Sequence, residues 1–172
     1  MIVNLMRMKF SVFTFLALFF SSTFAVAQTD AEKDSLAVLQ AFEKLKTNRA
    51  FLKELALIKE KHYQFSDFIL KPILGDLNHD ETVDALLVFS IENRGGGNNY
   101  DIHYAVFMQE NKKWNYVSLF DAGTDKSEYF IGFQSIESGI IRGVKLQEDD
   151  ESTGKPVAYI LKDKEIIETS LP

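Results

Sequence analysis

Val83-Asp84-Ala85-Leu86-Leu87-Val88-Phe89-Ser90-Ile91 is the most apolar stretch of the chain beyond residue 27. Its centre, Ala85 to Phe89, has no polar residue at either parity, so the alternation of a half-exposed strand is missing. The stretch therefore reads as a strand covered on both faces. Period two continues after it: residues 100–109 set Tyr100, Ile102, Tyr104, Val106 and Met108 on one face. Between these two strands, Asn93-Arg94-Gly95-Gly96-Gly97-Asn98-Asn99 is a hairpin loop of residues that tolerate positive φ. The expectation there is a flexible tip with Arg94 in solvent. Further strands are expected at 114–120, 128–134, 140–147, 156–161 and 165–169, with residues 148–154 forming an acidic exposed loop.

Upstream the period changes. Thr29-Asp30-Ala31-Glu32 has capping-box spacing. Leu36, Leu39, Phe42 and Leu45 follow three apart, an apolar stripe of helical type, with Lys44 and Lys46 in the last turn where cations suit the dipole. Asn48 is placed to cap a second helix whose stripe is Phe51, Leu52, Leu55 and Ile58, ending near Lys61. These readings predict an α+β fold: an N-terminal helical hairpin packed on a curved antiparallel meander sheet of about six to seven strands.

The chain has 172 residues, 46% of them hydrophobic and 26% charged, which excludes a disordered chain and a polytopic membrane protein. Residues 1–27 read as a secretory signal. Arg7 and Lys9 precede a short apolar run from Phe10 to Phe20, and Ala25-Val26-Ala27 is a small-x-small cleavage site. Cleavage after Ala27 leaves residues 28–172 as one domain, with no membrane span, in the periplasm or secreted. The signal removes two of 19 basic residues and no acid, so 17 remain against 25 acids, a net charge of −8. A nucleic acid would be repelled by such a surface. The absence of cysteine excludes thiol chemistry and disulfides, and an exported chain without them fits a bacterial periplasm.

One loop carries chemistry. In Gly75-Asp76-Leu77-Asn78-His79-Asp80-Glu81-Thr82-Val83-Asp84, the side chains of Asp76, Asn78, Asp80 and Asp84 recur at even spacing, and the Thr82 carbonyl can serve as a further donor. Hard oxygen donors of this kind suit Ca2+. An EF-hand would need a carboxylate at loop position twelve, where Leu87 stands. The segment resembles the calcium-loop motif of the FG-GAP and VCBS-type repeats, with Gly75, Asp76, Asn78, Asp80 and Asp84 matching and residues 85–89 as the following strand. The resemblance implies a short Ca2+-binding loop between adjacent strands. It departs from the motif at Glu81, where Gly is usual, and in occurring once.

Three functional readings follow: a small exported binding protein with an unknown protein or small-molecule partner and a structural Ca2+ loop at 76–84; a hydrolase using Asp76, His79 and Asp80; or an envelope interaction module docking through its aromatic face or the glycine hairpin. No pairing of His62, His79 and His103 has metal-ligand spacing, and no catalytic residue is assigned. Tyr100, Tyr104, Trp114 and Tyr116 are the aromatic residues expected to share a sheet face, as core or as a ligand groove.

Overall fold

The computed structural model describes residues 29–66, 72–147 and 150–170, with backbone alone at 150–153. The expected signal segment lies outside the described residues. The expected α+β architecture is corrected: the fold is mostly β, 53% strand against 19% helix, with one substantial helix and two antiparallel sheets.

The first helix, α1 (Asp30–Leu45), starts at the expected capping box. Thr29 Oγ1 accepts the Glu32 N–H at 3.3 Å, and Glu32 Oε2 accepts that of Thr29 at 2.9 Å. Its buried side is Ser35, Val38, Phe42 and Leu45, whereas Leu36 is 48% exposed. The reason is angular. Steps of three fall ~60° short of a full turn, so three such steps in a row wander round the helix, while steps of three, four and three hold one face.

The second helix, α2 (Arg49–Glu54), has the expected Asn48 cap, with Oδ1 accepting from Ala50 and Phe51. It stops after six residues. Ala56 takes φ +57°, the Ala56 N–H reaches the Lys53 carbonyl and the Leu57 N–H reaches that of Leu52. This is the 5→2 and 6→1 pattern of a Schellman stop. Leu57 is consequently buried and Ile58 44% exposed, so no helical hairpin forms.

The strands are β1 (Gln64–Ser66), β2 (Ile73–Gly75), β3 (Asp84–Glu92), β4 (Tyr100–Glu110), β5 (Lys113–Thr124), β6 (Tyr129–Glu137), β7 (Ile140–Gln147), β8 (Asp150–Lys162) and β9 (Glu165–Thr169). The first sheet runs β1-β3-β4-β5, with β2 on the same edge of β3 as β1; the second runs β6-β7-β8-β9. A single meander is thus replaced by two sheets. The strand β8 also begins at Asp150, inside the segment expected to be an acidic loop.

Three layers result, and β3 is the middle of them. Ala85, Leu87, Phe89 and Ile91 face the helices, packed with Val38, Phe42, Phe51 and Leu57. Leu86 faces the second sheet, packed with Tyr104, Val106, Phe133, Ile141 and Tyr159. The expectation of a doubly covered strand holds: Ala85, Leu86 and Ile91 have no solvent exposure, and Leu87 and Phe89 only 2%. Phe89 also meets Phe42, Phe51 and Phe65 at centroid distances of 4.8, 5.9 and 5.9 Å.

The Gly95 hairpin is pinned rather than free. The Gly95 N–H donates to the His62 carbonyl at 3.1 Å. Arg94 pairs with Asp101 at 2.9 Å and donates to the Leu55 carbonyl at 3.2 Å. Burying Phe89 against three rings predicts that Phe89→Ala costs about 3–5 kcal/mol in urea unfolding, whereas Ile167→Ala, at a 41% exposed position, should stay within about 0.5 kcal/mol.

Candidate functional site

The loop from β2 to β3, with Asp84 at the start of β3, contains every residue expected to ligate a metal, and the fold spends most of their oxygens on its own backbone. Asp76 Oδ1 accepts the N–H groups of Asn78, His79 and Asp80 at 3.1, 2.7 and 3.3 Å, and Oδ2 accepts that of Glu81 at 2.9 Å. Asp80 Oδ1 accepts the Thr82 N–H at 2.8 Å, and Oδ2 accepts from the Asn78 amide at 2.8 Å. Asn78 Oδ1 in turn accepts the Asp80 N–H at 3.1 Å. Such Asx bonding is what short acidic and amide side chains do in tight turns.

Asp84 stands apart from the others. It is fully buried, with Oδ2 accepting the Leu77 N–H at 3.0 Å and Oδ1 the Gln109 N–H of β4 at 3.2 Å. Its carboxylate therefore ties the loop to the central strand pair. Glu81 sits at φ +65°, so the motif position where Gly is usual does take the left-handed conformation, here with a side chain.

The electrostatics follow this geometry. Desolvation raises Asp76, but its four backbone N–H bonds together outweigh it and hold the carboxyl below its ordinary value. The Asn78 amide, with the Thr82 N–H, holds Asp80 low as well. Burial pushes Asp84 up against the bonds from Leu77 and Gln109, and the negative charges of Asp80 and Asp76 add to the rise. Asp76 and Asp80 thus favour the folded state above the usual carboxylate range, and their contribution is lost as pH falls through their depressed values. Asp84 acts in the opposite sense, costing stability as pH rises through its elevated value.

His79, one of the three residues of the hydrolase reading, lies against the β6–β7 turn. A Cβ at Gly139, which has φ +73°, would collide with its imidazole. A Cβ at Gly75 would come within 2.5 Å of Ile136 Cβ. The loop therefore clasps the second sheet, with Asp76 and Asp80 engaged in holding its shape. Among the described residues, no group of three or more His, Cys, Asp or Glu is arranged to hold a metal ion. His103 is buried on β4 with Nδ1 2.7 Å from Asp121 Oδ1. Burial lowers its pKa, and Asp121 and Asp101 oppose that shift.

The aromatic residues expected to share one face divide between two. Tyr104 faces the second sheet, where its hydroxyl accepts the Phe133 N–H at 2.9 Å. Trp114 and Tyr116 face the helices. They wall a groove of about 620 Å³ between α1 and the start of β5, whose other residues include Ala37, Gln40, Ala41, Lys44, Asn48, Lys113 and Asn115. Ala37 and Ala41 leave room on the helix, and Phe107 closes the floor. Tyr116 is fixed by a 2.9 Å hydrogen bond to Glu54 and by an edge contact with Phe51 at 5.2 Å. Burial, followed by the bond to and charge of Glu54, pushes its hydroxyl well above the usual tyrosine range.

A second cavity, about 450 Å³, lies beside Val88, Tyr100, Ile102, Phe130 and Leu146, a gap in the apolar layer between the sheets. The first groove brings aromatic rings together with several polar side chains, as ligand sites do. A pocket of about 480 Å³ beside Phe120, Tyr129 and Tyr159 does so too, but Asp121, Glu128 and Glu168 make its lining acidic. Two residues of the first groove, Gln40 and Lys44, carried no motif. Their role becomes visible only when α1 is laid beside β5.

Compared with known protein families, with curated proteins and with solved structures, the chain matches none. Among the described residues, no helix is long and apolar enough to cross a membrane.

The Asp84 geometry predicts that Asp84→Asn destabilises the fold by about 1–3 kcal/mol in urea unfolding at neutral pH. The amide nitrogen would face one of the two N–H donors that the carboxylate now satisfies. An unchanged midpoint would show that neither bond matters to the fold.

Proposed function

We propose that the chain is an exported binding protein, periplasmic or secreted, which holds a small ligand in the groove between α1 and β5 and performs no chemistry on it. The observation that carries this reading is the convergence of Trp114 and Tyr116 with amide and ammonium side chains around a groove of about 620 Å³. That volume falls within the range of ligand clefts, roughly 300–1,000 Å³. The leader-like residues 1–27 support export. The loop supports a structural role, because Asp76 and Asp80 hold backbone amides and His79 lies against Gly139.

The groove reading is tested by a fragment screen followed through backbone amide NMR shifts. Shifts should cluster at Ala37, Ala41, Trp114 and Tyr116. A cluster elsewhere, or shifts scattered over the surface, would refute the assignment.

The 76–84 loop is proposed as a structural Ca2+ loop in the same protein, with Asp76, Asn78, Asp80 and the Thr82 carbonyl as donors and Asp84 as the buried anchor behind them. Two observations support it. Glu81 has the positive φ that such loops place at this position. The charges of Asp76 and Asp80 also push Asp84 up, a repulsion that a cation would offset. Carboxylate oxygens that accept an N–H retain a lone pair for an ion. Calcium at ~100 times its dissociation constant should then add about 2.7 kcal/mol to the folded state relative to excess EDTA. Asp80→Ala should abolish the gain. Superimposable melts with and without calcium would leave the loop as turn chemistry alone.

A further inference from the structure

We infer that the ligand of the α1–β5 groove is a short carbohydrate bearing a carboxylate, a deepening that rests on the binding reading above. The chain carries an excess of acids, 25 against 19 basic residues, yet the residues lining this groove include Lys44 and Lys113 and no Asp or Glu. Among the described residues, neither lysine has an ion-pair partner within 4 Å. The nearest carboxylate on the same hairpin, Glu110, is cross-strand to Lys113 and accepts from the Asn115 amide at 3.4 Å. The groove is thus a local site for an anion on a protein that repels anions elsewhere.

The remaining chemistry selects the kind of anion. Trp114 and Tyr116 line the groove with aromatic rings, and the negative quadrupole of such a ring suits the weakly positive C–H face of a sugar. Gln40, Asn48 and Asn115 are amides, each with a donor and an acceptor group for hydroxyls. The Asn48 oxygen is taken by the α2 cap, which leaves its amide N–H groups.

Neighbouring residues on a strand point to opposite faces, so Lys113 and Asn115 reach the groove from the other side of β5 than Trp114 and Tyr116. The edge of β5 beside these residues pairs with no other described strand. Hydroxyl-rich ligands can use the mixed donors and acceptors of the three amides. No arginine lines the groove, so its cations are two lysine point charges, which take a lone carboxylate without a bidentate fork. A long polyanion is opposed by the net charge of −6, so a ligand with a single carboxylate is the better match.

Trp114 is the only tryptophan in the chain, so its fluorescence reports on this groove and nothing else. The experiment titrates the protein with a disaccharide ending in a uronic acid and, separately, with its neutral counterpart, following tryptophan emission and calorimetric heat together. The uronate should bind with a change in emission, more weakly as salt rises. Lys44→Gln and Lys113→Gln should each weaken it by about fivefold, the upper range of an exposed ion pair. The neutral sugar should be unaffected by either change.

Equal binding of both sugars, unmoved by the lysine changes but still altering Trp114 emission, would overturn the anionic class and leave the groove reading standing. Uronate heat with no emission change and no effect of Trp114→Phe would overturn both, since binding would lie elsewhere. No heat from either sugar would overturn the carbohydrate class. Clustered fragment shifts at Ala37 and Trp114 would still uphold the groove in that case.

Discussion

A strand buried on both faces along most of its length must be supplied with a covering layer twice, and that requirement on β3 organises the molecule. Leu86 and Leu87 point in opposite directions and neither has more than 2% exposure. Each fully buried aliphatic side chain contributes about 1.5–3 kcal/mol of transfer free energy, so leaving either face of β3 bare would cost a large part of the net stability of a small domain. The helices cover the Leu87 face and the second sheet covers the Leu86 face. The β2–β3 loop, the hairpin to β4 and the β6–β7 turn are then the fastenings of this arrangement. Gly75 and Gly139 each mark a point where one layer comes up against another, and the Gly95 N–H ties the hairpin to the His62 carbonyl.

The cost of this organisation is concentrated at Asp84. The strand must begin beneath a loop that carries Asp76 and Asp80, and its first residue is itself a carboxylate with no access to water. Two backbone N–H groups from different elements compensate it, one from the loop at Leu77 and one from β4 at Gln109. A buried ionised group is tolerated only when its lone pairs are occupied in this way. The same bonds set the register of the loop on the strand pair, and the opposed pKa shifts follow. The solvated acids Asp76 and Asp80 are held low by bonding, while the buried one is held high by desolvation.

Much of the local structure is legible in the sequence, because caps, turns and alternation are local physics. The Thr29 capping box, the Asn48 cap and the doubly covered 85–89 strand all form as their residues indicate. The failures are instructive because each has a non-local cause. A helix through Ile58 is a fair reading of Phe51, Leu52 and Leu55, but the chain turns at Ala56 in the left-handed region, where a glycine would have been the visible signal. The burial of Leu57 against the first sheet drives that turn. Likewise, the β-period does not state that β6 leaves the first sheet to begin a second one. Both faces of β3 required cover, yet its own residues could not say whether helices or strands would supply it. The loop's acids were legible as a motif, but their partners were not, since Gln109 lies 25 residues from Asp84.

The position of the groove follows from the same layering. The first sheet ends at β5, whose outer edge pairs with no described strand, and a free edge invites unwanted pairing unless something disrupts it. Here the β4–β5 register shifts at 102/103 and 106/107, and such bulges twist an edge away from a flat template. Lys113 places a charge at its start, a second common defence. Close against it, α1 turns Ala37 and Ala41 toward Trp114, so the helix cannot fill the space beside the strand. Tyr116 cannot swing in to close it, because Glu54 and Phe51 hold the ring from the other side. An open cleft at a sheet edge is thus maintained by small residues on one wall and restrained aromatic rings on the other. Pre-formed space of this kind lowers the ordering cost of binding, because rings already held in place lose little freedom when a ligand arrives.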